Sequence, residues 1–311
     1  MKTRVILDCD PGHDDAIAIL LAAADPSAEL LAVTTVAGNQ TLDKTTANAL
    51  KVLTLAGRTD VPVAAGCDRP LARELVTAPK IHGMSGLDGA SLPEAAFSAD
   101  PRHAADLIAE IALSSDEPLV LVPTAPLTNI ATLIMREPEI GRRIARIVWM
   151  GGAIGEGNTT PSAEFNAYVD PEAAEAVFAS GIPITMVGLD VTHQALYTRK
   201  DAQDIRLLGN PVASTVADLL DFFRGSYLAQ FGLGGCPLHD PCAVAEALHP
   251  GMVATSPMRV EVETSGVWTR GRTVCDRRGA WGKAPNADVG VHLHVDAFKA
   301  YVAQGLSRYG R

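Results

Sequence analysis

The chain has 311 residues, 47% of them hydrophobic, enough for a sizeable core in one large α/β domain or two smaller ones. Its 26 basic and 36 acidic residues leave a net charge of −10 with no basic run, which argues against nucleic acid and anionic membrane as partners. The early apolar stretch from Ala16 to Ala24 falls well short of the roughly 20 residues that cross a bilayer. Met1-Lys2-Thr3-Arg4 leads straight into a strand, leaving no room for a signal peptide, and five scattered cysteines suit reduced thiols. The expectation is a soluble, cytoplasmic protein.

Apolar runs of strand length at 4–9, 30–36, 119–122, 144–150 and 184–188 alternate with helical periodicity at 14–24, 42–56, 103–113, 127–136 and 171–179. This alternation predicts an open, mainly parallel, Rossmann-like α/β sheet with helices on both faces. The second half is less regular, with helices expected at 210–230, 240–248 and 296–306 and strands at 258–264 and 289–295. No internal repeat or low-complexity linker interrupts the chain, so residues 1–311 read as a single domain. Ligands of such sheets bind beyond the carboxyl ends of the strands. Polar clusters stand there: Asp8 and Asp10, Gly38-Asn39, Pro123-Thr124 and Gly151-Gly152.

The first cluster is the most informative. Asp8, Asp10, Asp14 and Asp15 fall within eight residues, with no lysine or arginine among them. Like charges this close raise one another's pKa and destabilise the fold unless something positive joins them. A hard divalent cation, which takes carboxylate oxygens, is the simplest remedy. On a strand Asp8 and Asp10 point to the same side, and Asp14 and Asp15 open the next helix, where its dipole favours negative charge. A helix cap and a solvated turn would explain one or two of these aspartates, not four.

Next comes Ala163-Glu164-Phe165-Asn166, in a stretch expected to be irregular, with Asn158 upstream. A carboxylate and two amides suit several hydroxyls presented together, as on a sugar. Asp170-Pro171 reads instead as a helix cap with proline at the first helical position. The third cluster is Cys236-Pro237-Leu238-His239-Asp240-Pro241-Cys242. Structural zinc would need four tetrahedral nitrogen or sulfur ligands, and no second Cys-x-x-Cys is present. The favoured reading has Asp240 capping the following helix and completing a cation's oxygen shell, with His239 beside it as a proton donor.

Smaller signals agree. Asn39 is placed to bond a substrate hydroxyl, and the Thr124 carbonyl to ligate a calcium-like ion. His82-Gly83-Met84-Ser85-Gly86-Leu87-Asp88-Gly89 has the composition of a mobile loop over a pocket. No dinucleotide fingerprint, nucleophile elbow or Walker A sequence is found. A metal-dependent phosphatase would want a lysine or arginine for the phosphate, and none accompanies these motifs. A non-catalytic metal- and sugar-binding protein is the rival from outside the enzymes.

Together these residues resemble a known set. Asp8-Cys9-Asp10-Pro11-Gly12-His13-Asp14-Asp15 is similar to the N-terminal signature of the inosine-uridine nucleoside N-ribohydrolases. The likeness continues through Thr34–Gln40, Ile81-His82-Gly83, Thr124–Ile130, Ala163-Glu164-Phe165-Asn166 and His239-Asp240-Pro241-Cys242, five further stretches in order. Two positions depart from the pattern, Ala125 for a frequent glycine and Met84 at an often polar loop position. Neither is a proposed ligand.

The resemblance implies an open α/β fold, one tightly held Ca²⁺, and hydrolysis of the N-glycosidic bond of ribonucleosides by a homo-oligomer, dimer or tetramer. Carried onto this chain, it implies that Asp10, Asp15, the Thr124 carbonyl and Asp240 hold the ion. Asp10 would also take a proton from the attacking water. Asp14, Asn39, Asn158, Glu164 and Asn166, with Phe165 among them, would grip the ribose. His239 would serve the departing base as acid, and His82, Tyr227 and Phe231 would lie near that base. A histidine after the 232–235 loop resembles members acting on pyrimidine nucleosides and inosine, so uridine, cytidine or inosine is expected. Trp149 is expected in the core, whereas Trp268 and Trp281 receive no placement.

Overall fold

The computed structural model describes residues 2–115 and 117–310. In chain order the strands are β1 (Thr3–Cys9), β2 (Ala28–Thr35), β3 (Val63–Ala65), β4 (Leu119–Pro123), β5 (Ile144–Met150), β6 (Ile184–Val187), β7 (Leu196–Tyr197), β8 (Cys236–Pro237), β9 (Val253–Val262), β10 (Thr273–Asp276) and β11 (Ala287–Leu293). The helices are α1 (His13–Ala24), α2 (Leu42–Leu55), α3 (Pro79–His82), α4 (Ala104–Leu113), α5 (Thr128–Arg136) and α6 (Phe165–Val169). They continue with α7 (Pro171–Ala179), α8 (Leu189–Thr192), α9 (Arg199–Arg206), α10 (Pro211–Phe231), α11 (His239–Leu248) and α12 (Val295–Ser307).

Nine strands form one sheet in the order β10-β9-β11-β6-β5-β4-β1-β2-β3. Pairing is parallel from β3 through β11, and antiparallel where β9 joins β11 and β10 joins β9. β1 is buried through its last five residues, the continuous apolar pattern of a strand covered on both faces. Val5, Leu7 and Cys9 face a core built with α1, α2, α10, α11 and α12. Ile6 faces the other core, with α4, α5 and α7. Trp149 lies in that second core as expected, its indole N–H donating to the Ala125 carbonyl at 3.1 Å.

The five strands and five helices expected in the first half are present within one or two residues of their predicted ends. Short or polar elements were not foreseen. β3 has only three residues, and α9 is polar apart from buried Ala202 and Ile205, so neither carries a readable apolar period. The strand expected at 258–264 runs instead over Val253–Val262, because Ser256-Pro257 interrupts its apolar run. The stretch around Glu164 and Asn166, expected to be irregular, contains α6, with Glu164 as its cap. Asp170 caps α7 as expected, accepting from the Ala173 amide at 3.0 Å. Asp240 does not cap α11: that helix begins at His239, which puts Asp240 in its first turn.

Candidate active site

Going outward from β1, the chain order runs to β2 and β3 on one side and to β4 on the other. Such a reversal opens a crevice at the strands' carboxyl ends. Asp10 follows β1 directly, and α1 begins at His13, so Asp14 and Asp15 occupy its first turn. Asp240 arrives in the first turn of α11, which packs against α1. Two helix N-termini thus carry three carboxylates to one place, each favoured there by its own helix dipole.

Oxygens of Asp14, Asp15 and Asp240 lie within 4.8 Å of one another, all three residues buried. Asp15 Oδ2 accepts from the Gly12 amide at 3.0 Å and from Asn39 Nδ2 at 3.3 Å, and its Oδ1 accepts from the Thr124 hydroxyl at 2.9 Å. Asp10 sits beside them, its Oδ2 accepting from the Asn39 amide at 2.6 Å. Asp10 Oδ1 is buried with no partner among the described residues. Gly38 is required here, since a Cβ at that position would lie 2.1 Å from Asp10 Oδ2.

No ion pair found among the described residues involves these four carboxylates. Burial, then the charge of Asp15, pushes Asp10 well above the ordinary carboxylate range and Asp14 up to about 8. Burial, then the charges of Asp14, Asp15 and Asp10, does the same to Asp240. Burial also raises Asp15, against the hydrogen bonds of Gly12 and Thr124. Buried carboxylates that repel one another, one with an orphaned oxygen, fit a hard cation. The zinc alternative fails, because Cys242 Sγ contacts its own helix at the Leu238 carbonyl and Cys236 Sγ faces the Tyr197 and Leu220 carbonyls. Asp8 stands apart: it accepts from Thr34 Oγ1 at 2.6 Å and Asn129 Nδ2 at 2.7 Å and does not join the cluster.

Above the carboxylates opens a cavity of about 470 Å³, within the usual range of small-molecule sites. Its walls include Asp14, Asn39, His82, Thr124, Asn158, Glu164, Phe165, Asn166, Tyr227, Phe231, His239 and Asp240. Of the residues expected to hold the ion, the ribose or the base, only Asp10 and Asp15 are absent from that lining. Glu164 accepts from the amides of Gly152, Asn166 and Ala167 at 2.9, 2.9 and 3.1 Å. Burial nonetheless lifts it to about 7. Asn166 Nδ2 donates to the Thr124 and Met150 carbonyls at 3.2 and 3.0 Å. Asn158 Oδ1 accepts from the Phe165 amide at 2.9 Å.

His239, also in the wall, is buried, with Nδ1 2.7 Å from the Thr192 hydroxyl and Nε2 2.8 Å from the Tyr227 hydroxyl. Burial, then His193, lowers its pKa to about 3, so the ring is neutral. His82 is likewise neutral, pushed well below its ordinary value by burial and then by His13 and His239. The His82 segment is less free than its composition implied. Gln40 Nε2 donates to the Gly83 carbonyl at 2.8 Å, Lys44 Nζ to that of Met84 at 2.7 Å and Asn48 Nδ2 to that of Ser85 at 2.9 Å.

Several wall residues escaped the sequence reading. Phe223 was one, although Phe223, Tyr227 and Phe231 follow at steps of four and so share a face of α10. Behind the wall, Thr192, buried in the four-residue helix α8 and bonded to His239, had no signal at all.

A model of the inosine-uridine preferring nucleoside hydrolase family matches residues 5–300. The chain belongs to that family. It is 51% identical over 310 residues to the pyrimidine-specific ribonucleoside hydrolase RihA of Enterobacter sp. (strain 638), covering 99% of each chain. It is 52% identical to the protein of the same name from Shewanella woodyi, covering the whole of both. Among solved structures, the purine-preferring ribonucleoside hydrolase from Gardnerella vaginalis superposes with a TM-score of 0.92 at 36% identity, over 98% of each chain. The plant nucleoside hydrolase PpNRh1 gives 0.93 at 29% identity, over 99% of each. This nucleoside hydrolase therefore cleaves ribonucleosides to ribose and free base, and its carboxylate cluster is able to hold a metal ion. No helix among the described residues is long and apolar enough to cross a membrane.

Proposed function

We propose that this nucleoside hydrolase is calcium-dependent and acts on pyrimidine ribonucleosides, uridine and cytidine, with inosine as the alternative substrate. Support for the base preference comes from the relatives identical at 51% and 52% over full length, both named for pyrimidine specificity. Support for the metal comes from one observation above the rest: the buried, unpartnered Oδ1 of Asp10 beside three convergent carboxylates.

Asp10, Asp15, Asp240 and the Thr124 carbonyl would hold the ion. Ca²⁺ accepts six to eight oxygens, which leaves room for substrate hydroxyls and water. When bound, it neutralises the carboxylates, orients a water and makes that water more acidic. Asp10 takes the proton from the attacking water. Asp14, at the border of cluster and cavity, shares the ribose hydroxyls with Asn39, Asn158, Glu164 and Asn166, and Phe165 packs beside the sugar. Holding the hydroxyls orients the anomeric carbon, and the surrounding carboxylates favour the oxocarbenium-like charge that develops as the C–N bond breaks.

The base occupies the wall of His82, Tyr227, Phe231 and His239. The electrons of the broken bond leave with the base nitrogen, which receives its proton through the Tyr227–His239 pair. The attacking water's oxygen completes the ribose. Homo-oligomeric assembly as a dimer or tetramer, organisation as a single domain and a cytoplasmic location belong to the same proposal, the last supported by five free cysteines. The test is incubation with uridine, cytidine, inosine, guanosine and adenosine, following free ribose with and without Ca²⁺. Turnover that is fastest on guanosine or adenosine, or unaffected by stripping the metal, would overturn it.

A further inference from the structure

Thr192 lies in α8, fully buried, and its hydroxyl oxygen stands 2.7 Å from His239 Nδ1. A threonine in a helix commonly donates to the carbonyl one turn back. Thr46, Thr54 and Thr215 do so here, at 2.7, 2.8 and 3.1 Å. Thr192 differs. No bond from its hydroxyl to the Gly188 carbonyl one turn back is found, and the imidazole is the hydroxyl's partner among the described residues.

A neutral imidazole carries one N–H, so the three groups can be ordered in two senses. In the first, Thr192 donates to Nδ1, Nε2–H donates to the Tyr227 oxygen, and the Tyr227 hydrogen is free to enter the cavity. In the second, Nδ1–H donates to Thr192 and Tyr227 donates to Nε2. That second sense leaves the Thr192 hydrogen with no acceptor at a site closed to water. An orphaned buried donor costs about 1–3 kcal/mol, enough to decide between two otherwise similar arrangements. His193 offers no relief, its ring standing 5.7 Å from that of His239, centroid to centroid, with no hydrogen bond between them.

We propose that Thr192 is the positioning residue that fixes His239 as its Nε2–H tautomer and so directs the chain Thr192, His239, Tyr227 toward the leaving base. The proposal rests on the role given above to His239, yet the tautomer can be read without turnover. The experiment is ¹⁵N NMR of the histidine rings in the full-length, calcium-loaded protein, with His239→Gln to assign the signal. Wild type and Thr192→Ser should have Nε2 protonated and Nδ1 bare. Thr192→Val, equal in shape but lacking the donor, should gain the reversed form.

In parallel, Thr192→Val should lower kcat on uridine at least tenfold, given the roughly 10²- to 10⁴-fold worth of a general acid. KM should change little, a p-nitrophenyl riboside should be spared, and Thr192→Ser should restore the rate. A wild-type ring protonated at Nδ1, or a tautomer unchanged in Thr192→Val, would overturn the proposal. A wild type with the Nε2–H form and equal losses on both substrates would sustain the assignment of the proton while removing the acid role from His239.

Discussion

The Tyr227 hydroxyl and His239 Nε2 are 2.8 Å apart, joining the end of α10 to the start of α11 across the glycine-rich turn between them. Both residues line the cavity. A histidine held neutral by burial is a poor acid alone, but the Tyr227 phenol can give its own proton to the base while the imidazole N–H bonded to it steadies the phenolate, which then recovers a proton from solvent. His239→Ala and Tyr227→Phe should therefore share a phenotype. Each should slow uridine and inosine by about 10²-fold or more, with little effect on a p-nitrophenyl riboside, whose leaving group departs as a stable anion. Comparison of kcat on the three substrates checks this. Equal losses on all three would make His239 a packing residue.

The parallel sheet was legible because β4 and β6 are buried throughout and β1, β2 and β5 over at least their last four residues, so each carries an apolar run of strand length. The acidic cluster was legible because uncompensated like charges are costly whatever the fold. What escaped depends on contacts distant in sequence. Thr192 meets His239 across 47 residues, and nothing in Leu189-Asp190-Val191-Thr192 foretells it. The 82–89 segment read as a free loop from its glycines, but its anchors Gln40, Lys44 and Asn48 belong to another part of the chain. Asp8 was grouped with Asp10 by strand alternation, yet Thr34 and Asn129 hold it away from the cluster.

Asp10→Asn keeps the shape of the side chain and removes its basicity. Turnover of uridine should fall by about 10²- to 10⁴-fold, or further if metal affinity also drops. Thermal unfolding of the calcium-loaded variant should remain cooperative. Near-normal hydrolysis would remove Asp10 as the base.

Protein purified without added metal should contain about one divalent, oxygen-ligated ion per chain by elemental analysis. Zinc coordinated through Cys236 or Cys242 would contradict the assignment.

Removal of that ion should reverse the usual effect of pH. In the metal-free fold Asp14 is raised to about 8, and Asp10, Asp15 and Asp240 are also raised, against about 3.9 for an unfolded aspartate. The folded state then binds protons more tightly than the unfolded one. Its extra stability is complete below about pH 4 and is lost as pH rises through the folded values. Asp100, lowered to about 2 by Arg102, titrates below this window. Buried His13, His82 and His239, held below their ordinary values, oppose the trend only up to about pH 7. The Tm of metal-free protein should therefore fall from about pH 7 to 8.5, and saturating Ca²⁺ should abolish the fall. A metal-free Tm that rises over that range would contradict the repulsion argument.

Gly38→Ala tests the packing under the cluster. The added methyl would stand 2.1 Å from Asp10 Oδ2 and 2.9 Å from Pro126 Cδ, so Asp10 must move. Its Oδ2 is the acceptor for the Asn39 amide, and that bond should weaken as the carboxylate retreats. Overpacking of this kind costs about 1–3 kcal/mol, measurable as a lower denaturation midpoint with unchanged slope. Because the displaced group is the proposed base and ligand, kcat and Ca²⁺ affinity should fall together, more steeply than stability does. Gly57→Ala gives the control: its φ of 67° is strained for alanine, but its Cβ would meet nothing within 4 Å. That variant should lose stability while keeping kcat and calcium affinity. If Gly38→Ala behaves in the same way as the control, Asp10 is not held in place by the close approach of this backbone.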